Sequence, residues 1–241
     1  MQIIKVNDYE ALSRKAAAIL GAEILHNPEA VLGLATGSTP VKTYQYLISW
    51  YKDGLLDFSH ATTVNLDEYR GLSSDDPQSY RHFMNEKLFH HINIDKNRTF
   101  IPDGSEPDAQ KACQDYEDTV RTLGYADIQL LGLGNNGHIG FNEPDDSFSS
   151  RTQLVKLTDS TIEANKRFFA SIDDVPKEAY TMGIGTIMKA KKILLIANGK
   201  SKAEAIRKTC LGPVTPRVPA SILQFHPDVT IIVDEEAGHL L

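Results

Sequence analysis

The chain has 241 residues, of which 41% are hydrophobic and 24% are charged, and its formal net charge is -7. This composition is ordinary for a globular protein with one sizeable core, and it lacks the basic stripe expected of a nucleic-acid binder. No apolar run is long enough to span a bilayer, and the two cysteines, Cys113 and Cys210, are typical of a reduced protein. We therefore expect a cytoplasmic protein that contacts neither nucleic acid nor membrane.

Apolar strands and amphipathic helices alternate through the first half of the chain. A strand is predicted at residues 1–6, and Asn7 is then expected to cap a helix. Leu12, Ala16 and Leu20 recur at helical spacing, which predicts that one face of this helix packs on the core. Further elements predicted in this half are strands at 30–35, 62–66 and 99–101 and helices at 41–51, 79–91 and 109–123.

The same alternation continues in the second half. It favours a parallel sheet covered by helices on both faces, and no linker or internal repeat interrupts it. We therefore expect residues 1–241 to form a single α/β domain. The elements predicted here are strands at 127–131, 152–157, 193–197 and 230–233, helices at 160–169, 202–210 and 219–225, and a brief helical tail.

A small polar turn follows the strand at 30–35 and leads into a helix at Pro40. A strand, such a turn and a helix N-terminus together form an anion site, because the backbone amides point outwards and the helix dipole favours negative charge. A helix that is simply capped by Ser or Thr before Pro40 is the alternative interpretation. The candidate anion-binding residues are Thr36, Gly37, Ser38 and Thr39.

Two adjacent acids, Asp67 and Glu68, follow the strand at 62–66. Side chains alternate across a strand, so we expect only one of the two carboxylates to face a cleft.

A glycine-rich loop at residues 132–144 follows the strand at 127–131 and carries His138 and Glu143. Histidine accepts and returns protons near neutral pH, and a nearby carboxylate orients the imidazole and stabilises its charged form. Taken alone, the pattern fits equally well a glycine-rich turn with a hydrogen-bonded surface histidine.

Four polar turns, at residues 36–39, 67–68, 134–143 and 198–202, each follow the end of a predicted strand. In an open parallel sheet these ends share one edge, where ligands bind. No cluster with zinc-ligand spacing is present, and no dinucleotide fingerprint of the G-x-G-x-x-G type with its acidic partner follows a strand, so we expect no metal and no organic cofactor. The residues instead indicate proton transfer on a phosphorylated small molecule.

Three stretches resemble glucosamine-6-phosphate deaminases of the glucosamine/galactosamine-6-phosphate isomerase family, in their short, non-allosteric bacterial form. They are residues 34–40 (LATGSTP), 64–69 (VNLDEY) and 134–144 (GNNGHIGFNEP). The likeness covers nearly the whole chain. It implies a modified Rossmann-like three-layer α/β/α sandwich with a mostly parallel sheet. It also implies conversion of glucosamine 6-phosphate and water to fructose 6-phosphate and ammonia.

The resemblance also implies roles for individual residues. His138 would open the sugar ring by moving a proton between its oxygens, with Glu143 orienting the imidazole. Asp67 would take the proton from C2 and deliver it to C1, with Glu68 as a supporting residue. Asn136 stands where many family members carry an aspartate, which lowers the negative charge available to stabilise the imidazolium.

The phosphate would rest on the amides of residues 37–39, with Arg167 and Lys202 as counter-charges. Residues 157–176 correspond to a lid over the site in this family. Family members that respond to N-acetylglucosamine 6-phosphate carry basic side chains just after an Arg-Thr pair, here Arg151-Thr152, where this chain continues with residues 153–156 (QLVK) and so has mostly neutral side chains, with Lys156 as the one cation. We therefore expect a monomer or small homo-oligomer without this activation.

Two alternatives remain from the residues and the resemblance. One is a sugar-phosphate lactonase on the same fold. The other is a sugar-phosphate sensor without turnover, although a sensor has no need of the three groups Asp67, His138 and Glu143.

Overall fold

A computed structural model describes residues 1–158, 161–163, 166, 169 and 171–241. The strands found in this part of the chain are β1 (Gln2–Val6), β2 (Val31–Leu34), β3 (Thr62–Asn65), β4 (Asp67–Tyr69), β5 (Thr99–Phe100), β6 (Ile128–Leu131), β7 (Gln153–Lys156), β8 (Glu178–Thr181), β9 (Lys192–Ala197) and β10 (Val229–Asp234).

Seven of these strands form one sheet in the order β1-β10-β9-β6-β2-β3-β5, and all neighbouring pairs run parallel. Strands β2, β3 and β6 are buried along their whole length, as expected where helices cover both faces of a parallel sheet. The predicted α/β fold with a parallel sheet is therefore confirmed.

Helices lie between most of the strands, and the first two pack on each other. Helix α1 also packs against β9 and β10. The helices of the described residues are α1 (Tyr9–His26), α2 (Val41–Lys52), α3 (Tyr80–Lys87), α4 (Ala109–Thr122), α5 (Ile184–Ile187) and α6 (Ala203–Leu211), with 3₁₀ turns at Phe89–His91, Lys96–Arg98, Ile172–Asp174, Lys200–Lys202 and Pro219–Phe225.

Two predicted helix caps are wrong. Helix α1 is capped by Asp8 rather than Asn7, and the Asp8 carboxylate accepts the amide of Ala11 at 2.7 Å. Helix α2 has Pro40 at its N-cap position, with no side-chain cap hydrogen bond. The Thr39 hydroxyl donates instead to Oδ1 of Asn198, because the neighbouring loop lies within reach.

A second, antiparallel sheet in the order β4-β8-β7 was not expected from the sequence. Only Leu66 separates β3 from β4, so the chain passes from one sheet into the other at Asp67. Residues 157–177 connect β7 to β8, and their two ends are joined by a 2.9 Å hydrogen bond from the Leu157 amide to the Lys177 carbonyl. The expected lid is therefore an insertion in a β-hairpin.

Other boundaries also differ from the predictions. Strand β8 and helix α5 were missed, and the predicted helical tail consists of turns after Asp234. The helix expected at residues 160–169 lies partly outside the described residues. In the described part of the chain, no helix is long and apolar enough to cross a membrane.

The strand order reverses between β2 and β6, which are neighbours at the centre of the parallel sheet. From β2 the chain proceeds to β3 and β5 on one side, and from β6 it proceeds to β9 and β10 on the other. The loops that leave two such strands diverge and form a crevice at the carboxyl edge of the sheet. Here these loops are residues 35–40 and 132–144.

Candidate active site

A cleft of 440 Å³ lies at this switch point. It is formed by the loops that follow β2, β3 and β6, together with the first residue of α3, one residue of the segment between β7 and β8 and one residue just before α6. The polar side chains that line the cleft include those of Thr36, Ser38, Thr39, Asp67, Tyr80, Asn136, His138, Thr161 and Lys202.

The turn after β2 is held by Tyr9 of helix α1. The Tyr9 hydroxyl donates to the carbonyl oxygens of Ser38 and Thr39 at 3.0 and 2.9 Å. Because these carbonyls are occupied by Tyr9, the turn is fixed next to the N-terminus of α2. Such a turn favours the phosphate of a ligand through its backbone amides and the helix dipole.

Lys202 reaches the same cleft from the loop after β9. That loop is fixed by Asp234 at the end of β10, whose two carboxylate oxygens each lie 3.0 Å from the amide of Gly199. It is also joined to the turn after β2 by the 3.0 Å hydrogen bond between Thr39 and Asn198. Hydrogen bonds therefore hold Lys202 in a fixed position relative to the turn at residues 36–39, which we call the phosphate turn.

The two adjacent acids face different surroundings, as predicted from strand alternation. Asp67 lines the cleft, whereas Glu68 is turned towards the first turn of α3. Burial, reinforced by the charge of Glu68, raises the pKa of Asp67 to about 8. Asp67 is therefore a much stronger base than an ordinary carboxylate, as removal of a proton from carbon requires.

Two glycines of the loop at residues 132–144 allow close contacts, one with the ring of His138 and one with the strand end that carries Asp67. A Cβ atom on Gly134 would lie 2.4 Å from the ring of His138, so only glycine permits this imidazole position. Gly140 has φ +56°, and a Cβ there would lie 2.9 Å from Oγ1 of Thr181 and 3.6 Å from Oδ2 of Asp67. The histidine loop is thus packed directly against the strand end that carries Asp67.

Glu143 lies behind His138 and contacts it from outside the cleft. Nδ1 of His138 is 3.2 Å from Oε1 of Glu143, but the two atoms are not aligned for a hydrogen bond in this conformation. Oε1 also accepts the Thr161 hydroxyl at 2.5 Å, and Oε2 accepts the side-chain amide of Asn136 at 2.6 Å. Catalytic contacts of this kind are often loose before substrate binds.

The charge of Glu143 is stabilised by these neighbours. Burial by itself would raise its pKa, but the His138 side chain and the hydrogen bonds from Thr161 and Asn136 outweigh burial and lower the pKa to about 2. Glu143 is therefore ionised across the neutral range and favours a positively charged imidazole beside it. Asn136 also accepts the amide of His138 at 3.1 Å, so it fixes both partners.

Most of the predicted site residues meet at the cleft, with four exceptions. Gly37 lies on the far side of its turn and lines a neighbouring cavity. Glu68 and Glu143 stand behind Asp67 and His138, and Arg167 lies outside the described residues. Sequence reasoning missed Tyr9, Tyr80 and Thr161, since each reaches the site only through the tertiary fold.

Within the described residues, no group of three or more His, Cys, Asp or Glu side chains is placed to hold a metal ion. The site is built from acid–base groups, a phosphate turn and one lysine.

The fold and the site together define a sugar-phosphate enzyme of the isomerase and lactonase class. The family model described as glucosamine-6-phosphate isomerases/6-phosphogluconolactonase matches residues 7–232. The chain therefore belongs to this family, and its full-length relatives group it with the glucosamine-6-phosphate deaminases.

Two of these relatives come from Thermoanaerobacter pseudethanolicus and Clostridium perfringens, and both are glucosamine-6-phosphate deaminases. They are 54% and 55% identical to this chain over all of its length and cover 95% and 100% of their own. A solved structure of a monomeric glucosamine-6-phosphate deaminase superimposes with a TM-score of 0.98 at 53% identity, with both chains fully covered.

A 6-phosphogluconolactonase from Trypanosoma brucei shares the fold at a TM-score of 0.80, covering 100% of this chain and 98% of its own. Its identity to this chain is 19%, which supports common architecture alone.

Proposed function

We propose that this enzyme converts glucosamine 6-phosphate and water to fructose 6-phosphate and ammonia by proton transfer. The observation that carries this proposal is the cleft in which a buried, strongly basic Asp67 and His138, with Glu143 behind it, lie beside the turn at residues 36–39. The full-length similarity to deaminases supports the same reaction.

Ring opening is the first step. His138 accepts the proton of the anomeric hydroxyl while the bond between C1 and the ring oxygen breaks, and then returns that proton to the ring oxygen. Because Nδ1 of His138 faces Glu143, Nε2 is the nitrogen left for the sugar. Glu143 stabilises the imidazolium that forms, and Asn136 keeps the carboxylate in place.

Isomerisation and deamination follow on the open aldehyde. Asp67 removes the proton from C2 while O1 takes a proton from the substrate's ammonium group, which gives an enolamine. Asp67 then delivers the C2 proton to C1, which leaves a protonated imine at C2. Water adds to this carbon and ammonia departs, so the product is the ketose. The substrate's ammonium group brings a positive charge near the acid pair, which favours the ionised form of Asp67 when substrate binds.

The phosphate is held by the amides of residues 37–39 and the charge of Lys202, and Arg167 is our further candidate for a counter-charge. We also propose one domain over residues 1–241 with a lid at 157–176. The lid proposal is supported by the Thr161–Glu143 hydrogen bond and by the edge-on packing of Phe169 on Tyr69, with ring centroids 5.8 Å apart.

We propose that the enzyme acts as a monomer, in line with its monomeric relative of known structure. Gln153 and Val155 line a second cavity of 320 Å³ behind Glu143. Lys156 also lines this cavity, so a phosphate dianion bound there would have one cation nearby, but it would lack charge-assisted hydrogen bonds at the neutral residues Gln153 and Val155.

One assay tests the reaction and separates it from the lactonase alternative. Purified protein is incubated with glucosamine 6-phosphate, and ammonia and fructose 6-phosphate are measured together. They should form in equal amounts. Hydrolysis of 6-phosphogluconolactone without ammonia release would establish a lactonase instead, and tight binding of sugar phosphate without turnover would indicate a sensor.

A further inference from the structure

Glu68 is a buried carboxylate, 2% exposed, that is saturated with backbone donors. Its Oε1 accepts the amides of Tyr69 and Tyr80 at 2.8 and 2.9 Å, and its Oε2 accepts the amide of Arg81 at 2.9 Å. Tyr80 and Arg81 are the first two residues of α3, whose dipole favours a negative charge at this end. Glu68 therefore fastens the start of α3 to strand β4.

The part of α3 that is fastened in this way forms one wall of the cleft. Tyr80 lines the cleft with Asp67, and its ring stacks on Phe141 with centroids 6.1 Å apart and an interplanar angle of 13°. The Tyr80 hydroxyl lies 3.2 Å from that of Tyr69 and also interacts with Thr36 of the phosphate turn. A shift of the first turn of α3 would therefore move this wall relative to the acid and the phosphate site.

Glu68 also places a negative charge next to Asp67. Among the described residues, the other titratable groups near Asp67 include the hydroxyls of Tyr69, Tyr80 and Tyr116 of α4, all of which burial keeps protonated, and His138, which lines the same cleft. Burial raises the pKa of Glu68 itself to about 7. The guanidinium of Arg81 donates to the hydroxyl and carbonyl of Thr99, so it is directed away from the cleft. Glu68 is therefore the anion that adds to burial in setting the basicity of Asp67.

We infer that Glu68 is a positioning residue of the proton-transfer site, which holds Tyr80 and the first turn of α3 beside Asp67 and keeps a negative charge behind it. This inference rests on the proposed role of Asp67 as the base. It gives Glu68 two separable effects, one geometric and one electrostatic, and two substitutions distinguish them.

Glu68→Gln removes the charge and turns an amide group towards the backbone N–H of Arg81. We expect the acid limb of the kcat/KM profile to move to lower pH by about one unit, because Asp67 loses a neighbouring anion. We also expect kcat on the plateau to fall at least roughly tenfold, since the wall of the cleft is displaced. Glu68→Asp retains the charge but is one methylene shorter, so it should lower kcat and leave the acid limb in place.

Glu117→Gln is the matched control. Glu117 is likewise a buried carboxylate, accepting the amide and hydroxyl of Thr152 and the hydroxyl of Thr186, but it lies outside the cleft lining. It should lower thermal stability without moving the acid limb. A shift of equal size in Glu117→Gln would overturn the inference, as would an unmoved limb in Glu68→Gln or wild-type kcat in Glu68→Asp.

The same series separates this inference from the proposed function. If Asp67→Asn keeps wild-type turnover, the base assignment itself fails. If Asp67→Asn is inactive while both Glu68 variants behave as wild type, only the role of Glu68 is wrong. Should Glu68→Gln fail to fold, the kcat of Glu68→Asp still decides the geometric effect.

Discussion

Replacing Asp67 by Asn should make the enzyme nearly inactive and more stable at the same time. Loss of the base should lower kcat by about a hundred- to ten-thousand-fold, the range typical of general acid–base groups. The gain in stability follows from the pKa of Asp67, which burial and Glu68 raise from 3.8 to about 8 in the folded protein.

Asp67 binds its proton more tightly in the folded protein than in the unfolded chain, and this determines how its contribution to the free energy of unfolding changes with pH. A carboxyl with a raised pKa stabilises the folded state fully at low pH, and this contribution is lost as the pH rises from about 4 to about 8. Roughly three pH units lie between the unfolded pKa and pH 7, each worth about 1.4 kcal/mol, so Asp67 costs the folded state as much as about 4 kcal/mol there. Asparagine is neutral in both states and removes this cost.

Urea unfolding of the wild type and Asp67→Asn between pH 5.5 and 8 measures the difference directly. The gap in unfolding free energy should widen with pH, and the thermal midpoint of the variant should rise by roughly 2–4 °C per kcal/mol gained. Burial raises the pKa of Glu68 to about 7, so Glu68 contributes to the pH dependence of stability in both proteins and the difference between the two curves reports Asp67. Parallel stability curves, or a variant with near-normal turnover, would refute the reasoning.

Three further predictions concern the imidazole, the lid and regulation. His138→Gln should slow ring opening more than the later steps, so C2 proton exchange on an open-chain analogue should survive better than turnover of the cyclic substrate; equal losses would contradict the ring-opening role. Thr161→Val removes a hydrogen bond to the ionised Glu143, a kind of bond worth about 1.5–3 kcal/mol, and should lower kcat/KM at least roughly tenfold; Thr119→Val, which removes a hydrogen bond to the Asp115 carbonyl on α4 outside the cleft lining, serves as the comparison and should leave kcat/KM near that of the wild type. Initial rates should depend hyperbolically on substrate and be unchanged by N-acetylglucosamine 6-phosphate, and a sigmoidal curve that the effector makes hyperbolic would show that a second site survives.

Local patterns were sufficient for the parallel sheet and for much of the site. Alternating apolar runs identify strands that are buried on both faces, and polar turns at their ends converge because parallel strands share one carboxyl edge. The division of labour between Asp67 and Glu68 also follows from strand alternation alone. Each of these features is determined by residues that are close together in the sequence, so a sequence pattern is sufficient to predict it.

The second sheet and the tertiary contacts of the site could not be predicted in this way. Strands β4 and β8 are three and four residues long and pair across more than a hundred residues, so neither carries a clear period of its own. Tyr9 reaches Thr39 across 30 positions and Thr161 reaches Glu143 across 18. Such contacts are determined by tertiary packing. The residues around Tyr80 in the sequence therefore do not indicate that its side chain lines the cleft.

The second sheet also explains how the base, the histidine loop and the lid are kept in register. Asp67 begins β4 and is paired with Thr181 of β8. The hydroxyl of Thr181 accepts the amide of Phe141 at 3.0 Å, which ties the histidine loop to the same strand. Residues 157–177 follow β7 and precede β8, so the proposed lid, which carries Thr161, is anchored on this sheet at both ends. A movement of the proposed lid would therefore reach Glu143 through the Thr161 hydroxyl, whereas Asp67 is held by backbone pairing with β8 and the histidine loop by the Thr181 hydroxyl. Proton transfer needs a fixed base and an imidazole whose partner can tighten on binding, and this arrangement supplies both.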